Sequence, residues 1–269
     1  MTKKEFAAPL GTIHYWINDI EENKVTLVFL PGLTADHRLF EKQIDFFTDK
    51  YNCIVWDAPA HGRSRPFPLE FSMENMAEYL HDILLTEKIT KPVFVGQSLG
   101  GYISQVYMEM FPNEAVGFVS VDSCSLKRKY YTWWELALLK RTKWMFMSFP
   151  YKQLLKMGIN GNSVTEYGRQ LMKEIWSVYD KEEYCRLSDH GFRILAQSVE
   201  LGKSYDIRCP VLLLCGENDK AGSAKRYNRQ WAKQDGYRLV WLANAGHNSN
   251  TDVPEIVNKL IDEFVQKII

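Results

Sequence analysis

Ser98 stands in Gly96-Gln97-Ser98-Leu99-Gly100-Gly101, directly behind the apolar run Val93-Phe94-Val95. A serine hydroxyl becomes a strong nucleophile only when a positioned base takes its proton, so a base and a group to orient it are the residues to look for. Two later stretches offer them. Cys215-Gly216-Glu217-Asn218-Asp219 carries a carboxylate, and Ala243-Asn244-Ala245-Gly246-His247 carries an imidazole. The chain order is then Ser98, Asp219, His247. Gly96 and Gly100 leave room for a sharp turn in which a serine sits exposed, because a tight strand-to-helix crossing has no space for Cβ atoms. The start of a helix behind that turn points unpaired N–H groups at the same spot, which suits an oxyanion.

Each of these residues needs an element to hold it. Val25-Thr26-Leu27-Val28-Phe29-Leu30, Cys53-Ile54-Val55-Trp56, Val93 to Val95, Val116 to Val121, Val211 to Leu214 and Tyr237 to Leu242 read as strands, most of them near-continuous apolar runs of the kind covered on both faces. An earlier strand is expected over 11–17. Helical periodicity follows the serine through Ile103, Val106, Tyr107 and Met110, and Ser72 can cap a helix carrying Met73, Met76, Ala77, Leu80 and Leu84. Asp36 is expected to cap a helix carrying Leu39, Phe40, Ile44 and Phe47, and Asp252-Val253-Pro254-Glu255 to open the last helix in the manner of a capping box. Strands alternating with helices predict an α/β fold with a mainly parallel sheet, and ligands of such sheets bind beyond the carboxyl ends of the strands. Ser98, Asp219 and His247 all fall there.

Residues 123–199 break the alternation. They hold helical stretches, no convincing strand and many aromatics, which predicts a helical cap inserted into a core formed by 1–122 and 200–269. From Ser123 to Asn160 there are eight basic residues and a single acid, Glu135. This suggests either a solvated helix face or a cap that draws in anionic substrates or lies against an acidic membrane surface. Trp133, Trp134 and Trp144, interleaved with these charges, are candidate substrate contacts along with Thr34.

Five motifs in order resemble the α/β-hydrolase family: Pro31-Gly32-Leu33, Asp57-Ala58-Pro59-Ala60-His61-Gly62-Arg63-Ser64, Gly96 to Gly101, Gly216-Glu217-Asn218-Asp219 and Gly246-His247. The resemblance implies a doubly covered, mostly parallel sheet with a cap. It implies Ser98 as nucleophile, His247 as base and then acid, and Asp219 as the group that fixes the imidazole, with the backbone N–H groups of Leu33 and Leu99 as the oxyanion hole. Asp122, directly after the strand at 116–121, is the rival acid, at a position some members of the fold use. His61 and Asp57 are expected to be structural, and His14, His37, His81 and His190 to be bystanders. No metal or cofactor is needed.

Serine at position 98 points away from dehalogenases and epoxide hydrolases of this fold, which place Asp there, and toward acyl transfer. The expected substrate is a small to medium hydrophobic ester, neutral or anionic. A carbon–carbon bond hydrolase, a menaquinone-pathway-type lyase, a perhydrolase or a small-molecule receptor with little turnover are the alternatives.

Equal numbers of basic and acidic residues, 33 each, give no support to nucleic-acid binding. Five cysteines without a Cys-x-x-Cys pair fit a reducing, cytoplasmic setting better than a disulfide framework. Lys3 and Lys4 lack an apolar run behind them, so no secretory signal is expected, and no apolar stretch is long enough to span a membrane.

Overall fold

The computed structural model describes residues 1–269. Eight strands form one sheet in the order β1-β2-β4-β3-β5-β6-β7-β8. Their ranges are β1 Thr2–Ala8, β2 Gly11–Ile17, β3 Thr26–Leu30, β4 Asn52–Trp56, β5 Pro92–Gln97, β6 Gly117–Val121, β7 Val211–Gly216 and β8 Arg238–Leu242. Strands β3 to β8 run parallel, and β1 and β2 form an antiparallel hairpin that pairs with β4 through β2.

The apolar strands have two faces to cover. Val28, Ile54, Phe94, Phe118 and Leu213 point to one face, under α2 (Met73–Thr86), α3 (Leu99–Met110) and α9 (Ala224–Asp235). Leu27, Val55, Val95, Val119 and Leu214 point to the other, under α1 (Glu41–Phe47) and α11 (Pro254–Ile268). Burial on both sides removes the polar–apolar alternation of a half-exposed strand, so the sequence shows unbroken apolar runs.

Between β6 and β7 stand α4 (Trp133–Leu139), α5 (Thr142–Met147), α6 (Tyr151–Asn162), α7 (Glu166–Trp176) and α8 (Lys181–Glu200), with no strand among them. Ser72 caps α2 in a capping box with Asn75. Two capping expectations change. Asp36 caps a single 3₁₀ turn, His37–Phe40, and α1 begins only after it. Asp252 does not cap α11. It ends the short helix α10 (Ser249–Asp252), and Pro254 occupies the first turn of α11, where a missing N–H is tolerated. β1 has no counterpart in the sequence reading, because its largely exposed Lys3, Lys4 and Glu5 give no apolar face.

Candidate active site

Ser98 is the pivot between β5 and α3. Its backbone sits at φ 46°, ψ −113°, a conformation that costs a non-glycine residue of order 1–3 kcal/mol and that the surroundings must hold in place. The surroundings do so by contact. A Cβ on Gly100 would come within 1.8 Å of the Leu30 carbonyl oxygen, and one on Gly96 within 2.5 Å of the Gly101 nitrogen, so strand and helix cross too closely for any side chain. The Ser98 carbonyl accepts from Ser123 Oγ at 2.7 Å. Gln97 reaches sideways, its Nε2 donating to the His247 carbonyl at 2.8 Å and to Asn248 Oδ1 at 3.2 Å, which ties the elbow to the loop after β8.

The side chains then converge. His247 Nε2 lies 2.9 Å from Ser98 Oγ, and its Nδ1 lies 3.0 Å from Asp219 Oδ2. With Nδ1 protonated toward the carboxylate, Nε2 is free to accept the hydroxyl proton. The remaining Asp219 oxygen accepts from the Ala221 N–H at 2.7 Å, which fixes the carboxylate plane. Burial alone would push the His247 pKa down. The Asp219 charge, its hydrogen bond and then Asp122 outweigh burial, and the net direction is up.

Asp122 lies beside this pair but is turned away from it. Its two oxygens accept from the Gly216 N–H at 2.7 Å and the Ser249 N–H at 2.8 Å, so it clamps the ends of the two loops that carry Asp219 and His247. Complete burial, followed by repulsion from Asp219, raises its pKa to about 7. The geometry therefore gives the imidazole to Asp219, not to the rival acid.

Neither the Leu33 nor the Leu99 N–H donates to any acceptor in the protein. Leu99 is the first residue of α3, where an unpaired N–H is built into the helix, and Leu33 lies in the turn after β3. Leu33, Leu99, Ser98 and His247 all border one cavity of about 510 Å³.

The chain matches the model of the family described as "alpha/beta hydrolase fold" over residues 25–252. It belongs to that family. 3-oxoadipate enol-lactonase 1 of Acinetobacter baylyi is 24% identical, covering 92% of this chain and 91% of its own. The magnesium-chelatase 30 kDa subunit of Rhodobacter capsulatus is 33% identical over 79% of this chain and 77% of its own. Among solved structures, a hydrolase from Pseudomonas aeruginosa superposes with a TM-score of 0.82 at 16% identity, covering 98% of both chains. This last likeness carries the fold.

Within this α/β-hydrolase fold the cavity reaches from Ser98 up into α4, α5, α7 and α8. Its walls are apolar, with Leu139, Met145, Phe146, Met172, Trp176 and Leu195 among them, and Tyr102, Tyr131 and Tyr227 near the α3 side. Thr34 and Trp134 border it, as the sequence suggests. Trp133 and Trp144 do not. They are 75% and 80% exposed and lie outside the lining, so the expectation that they contact substrate in the pocket is corrected.

No Lys or Arg side chain lines the cavity. Its only acids are Asp122 and Glu135, and Glu135 is held by Thr132, Ser223 and Arg226. The basic residues of the 123–160 stretch thus sit outside the pocket. His37 also stands apart, its ring stacked on Trp16 and bonded to Asp57 at 2.9 Å. Asp57 is structural as expected, accepting from the His37 and Arg63 N–H groups.

Gln97 and Asn248 are contributors that sequence reasoning missed. Gln97 lies inside the motif as a variable position, and only its cross-loop bonds reveal its task.

Proposed function

We propose that this protein is a serine hydrolase that cleaves carboxylic esters with uncharged, apolar acyl groups. The observation that carries this reading is the unbroken relay from Ser98 Oγ through His247 to Asp219, opening onto an apolar cavity. The similarity to an enol-lactonase supports it, since a lactone is a cyclic ester. Residues 123–199 act as the cap and 1–122 with 200–269 as the core, a division supported by the five helices between β6 and β7. The absence of cationic side chains in the cavity favours neutral substrates over carboxylate-bearing ones such as an oxoadipate derivative.

His247 takes the Ser98 proton as Oγ adds to the ester carbonyl, and the oxygen's developing charge is met by the Leu33 and Leu99 N–H groups. Each such donor contributes about 3 kcal/mol in the transition state. His247 passes the proton to the departing alkoxide, leaving an acyl-Ser98 ester and a free alcohol. Water then adds to the acyl carbon, giving its proton to His247. Collapse returns that proton to Ser98 and releases the acid. The apolar walls exclude competing water and strengthen each of these hydrogen bonds.

A fluorophosphonate probe tests the nucleophile. Folded wild-type protein should be labelled and Ser98→Ala should not, and hydrolysis of p-nitrophenyl esters should disappear with the label. Equal labelling of Ser98→Ala would overturn the assignment. A series from acetate to octanoate should show kcat/KM rising with chain length until the cavity is filled.

A further inference from the structure

We infer that the outer face of α4 to α6 is a docking surface for an anionic lipid layer, placed at the mouth of the catalytic cavity. Three short helices present one exposed face each, and the exposed residues recur at helical spacing. On α4 they are Trp133, Trp134 and Leu138, followed by Lys140 and Arg141; on α5 they are Lys143, Trp144 and Met147; on α6 they are Lys152, Lys156 and Met157. Three exposed tryptophans within twelve residues are unusual for a surface that faces water alone, because each leaves a large apolar ring uncovered, and Trp144 and Met147 share one surface depression with Lys140, Arg141, Lys143 and Asp189. Tryptophan among lysines and arginines suits a headgroup layer, where the ring reaches the acyl boundary and the cations meet phosphate.

Two further observations select the occupant. Lys127 is paired with Asp235 and Asp206, Lys129 with Asp235 and Lys140 with Glu200, but Arg141, Lys143, Lys152 and Lys156 have no acidic partner within salt-bridge distance. The patch therefore keeps a net positive charge that an anionic surface would match. The second is continuity with the site. Trp134 and Leu138 are about half exposed, at 52% and 51%, and both also line the cavity. The exposed face and the pocket wall thus share residues, so a docked layer would meet the pocket entrance and an apolar ester could pass into it without crossing water. Delivery of substrate rests on the esterase reading, whereas docking does not.

The test is sedimentation of the full protein with sucrose-loaded vesicles of phosphatidylcholine alone or mixed with phosphatidylglycerol. At low salt, wild type should sediment at least about tenfold more with the mixed vesicles, and high salt should reverse this. Arg141→Glu/Lys143→Glu and Trp133→Ser/Trp144→Ser should each lose vesicle binding while keeping turnover of a soluble short ester. Ser98→Ala should bind like wild type. Binding by Ser98→Ala, together with no wild-type ester turnover, would sink the esterase reading and leave docking standing. Equal sedimentation with both vesicle types, none with either, or full binding by the charge-reversed variant overturns docking.

Discussion

Two buried aspartates, Asp219 and Asp122, lie beside His247, but their oxygens face different partners. Asp219 holds Nδ1 of the imidazole, while Asp122 spends both oxygens on backbone N–H groups. Replacing Asp219 by Asn removes the charge that raises the His247 pKa and offers the wrong tautomer. We expect kcat to fall about 10⁴-fold. His247 must be neutral to act as base, and its pKa is raised in the wild type. Wild-type kcat/KM should therefore climb with pH through a midpoint above the ordinary histidine value, and Asp219→Asn should move that midpoint down, since burial is then less opposed. Asp122→Asn should behave differently. One backbone N–H would lose its acceptor, costing about 1–3 kcal/mol in urea unfolding, with kcat kept within about tenfold. A kcat loss for Asp122→Asn as large as that for Asp219→Asn would reverse the two roles. The sequence names both aspartates, because each follows a strand at the right edge of the sheet. Which one faces the imidazole depends on loop direction, and spacing does not encode that.

The strands and helices of the core were legible because burial on two faces writes itself as apolar runs and helical periods. Turn and cap chemistry was less so. Asp252 looks like a capping residue by position, yet its carboxylate crosses to the segment before α7. Its oxygens accept from the Val164 and Thr165 N–H groups, from Thr165 Oγ1 and from the Gly246 N–H, all between 2.7 and 3.2 Å. The Asn248 N–H adds a bond to the Asn162 carbonyl at 2.8 Å. The loop that carries His247 is thereby fastened to the end of α6 and the start of α7. Partners 88 residues apart in the chain leave no local signal, so by position alone Asp252 resembles a cap. Asp252→Ala would leave several buried N–H groups without acceptors. We expect a loss of about 3 kcal/mol in unfolding free energy, together with a lower kcat, because the imidazole loop loses its brace. A variant as stable as the wild type would show that this carboxylate braces nothing.

At the scale of the molecule, charge and cavity are separated. The composition of residues 123–160 carries a basic excess but not its direction, since a helix can turn lysines outward and leucines inward at the same spacing. In the folded chain the cations are on the outside, and the space above Ser98 is walled by side chains none of which is a lysine or arginine. A carboxylate carried into that cavity would lose its hydration without gaining a cationic partner, since the nearby Arg226 is already paired with Glu135. The penalty for burying an unpaired charge is several kcal/mol. An ester with a terminal carboxylate on its acyl chain should therefore have a kcat/KM at least about 10²-fold below that of the neutral ester of equal length, since every 1.4 kcal/mol is a factor of ten. Raising the ionic strength separates the two sources of discrimination. If the surface cations attract the anionic ester, salt lowers its rate while the neutral ester is unaffected, whereas the desolvation penalty inside the cavity is screened far less. Parity between the two esters at high salt would mean that an anion finds a partner in the cavity, and the neutral-substrate assignment would fall with it.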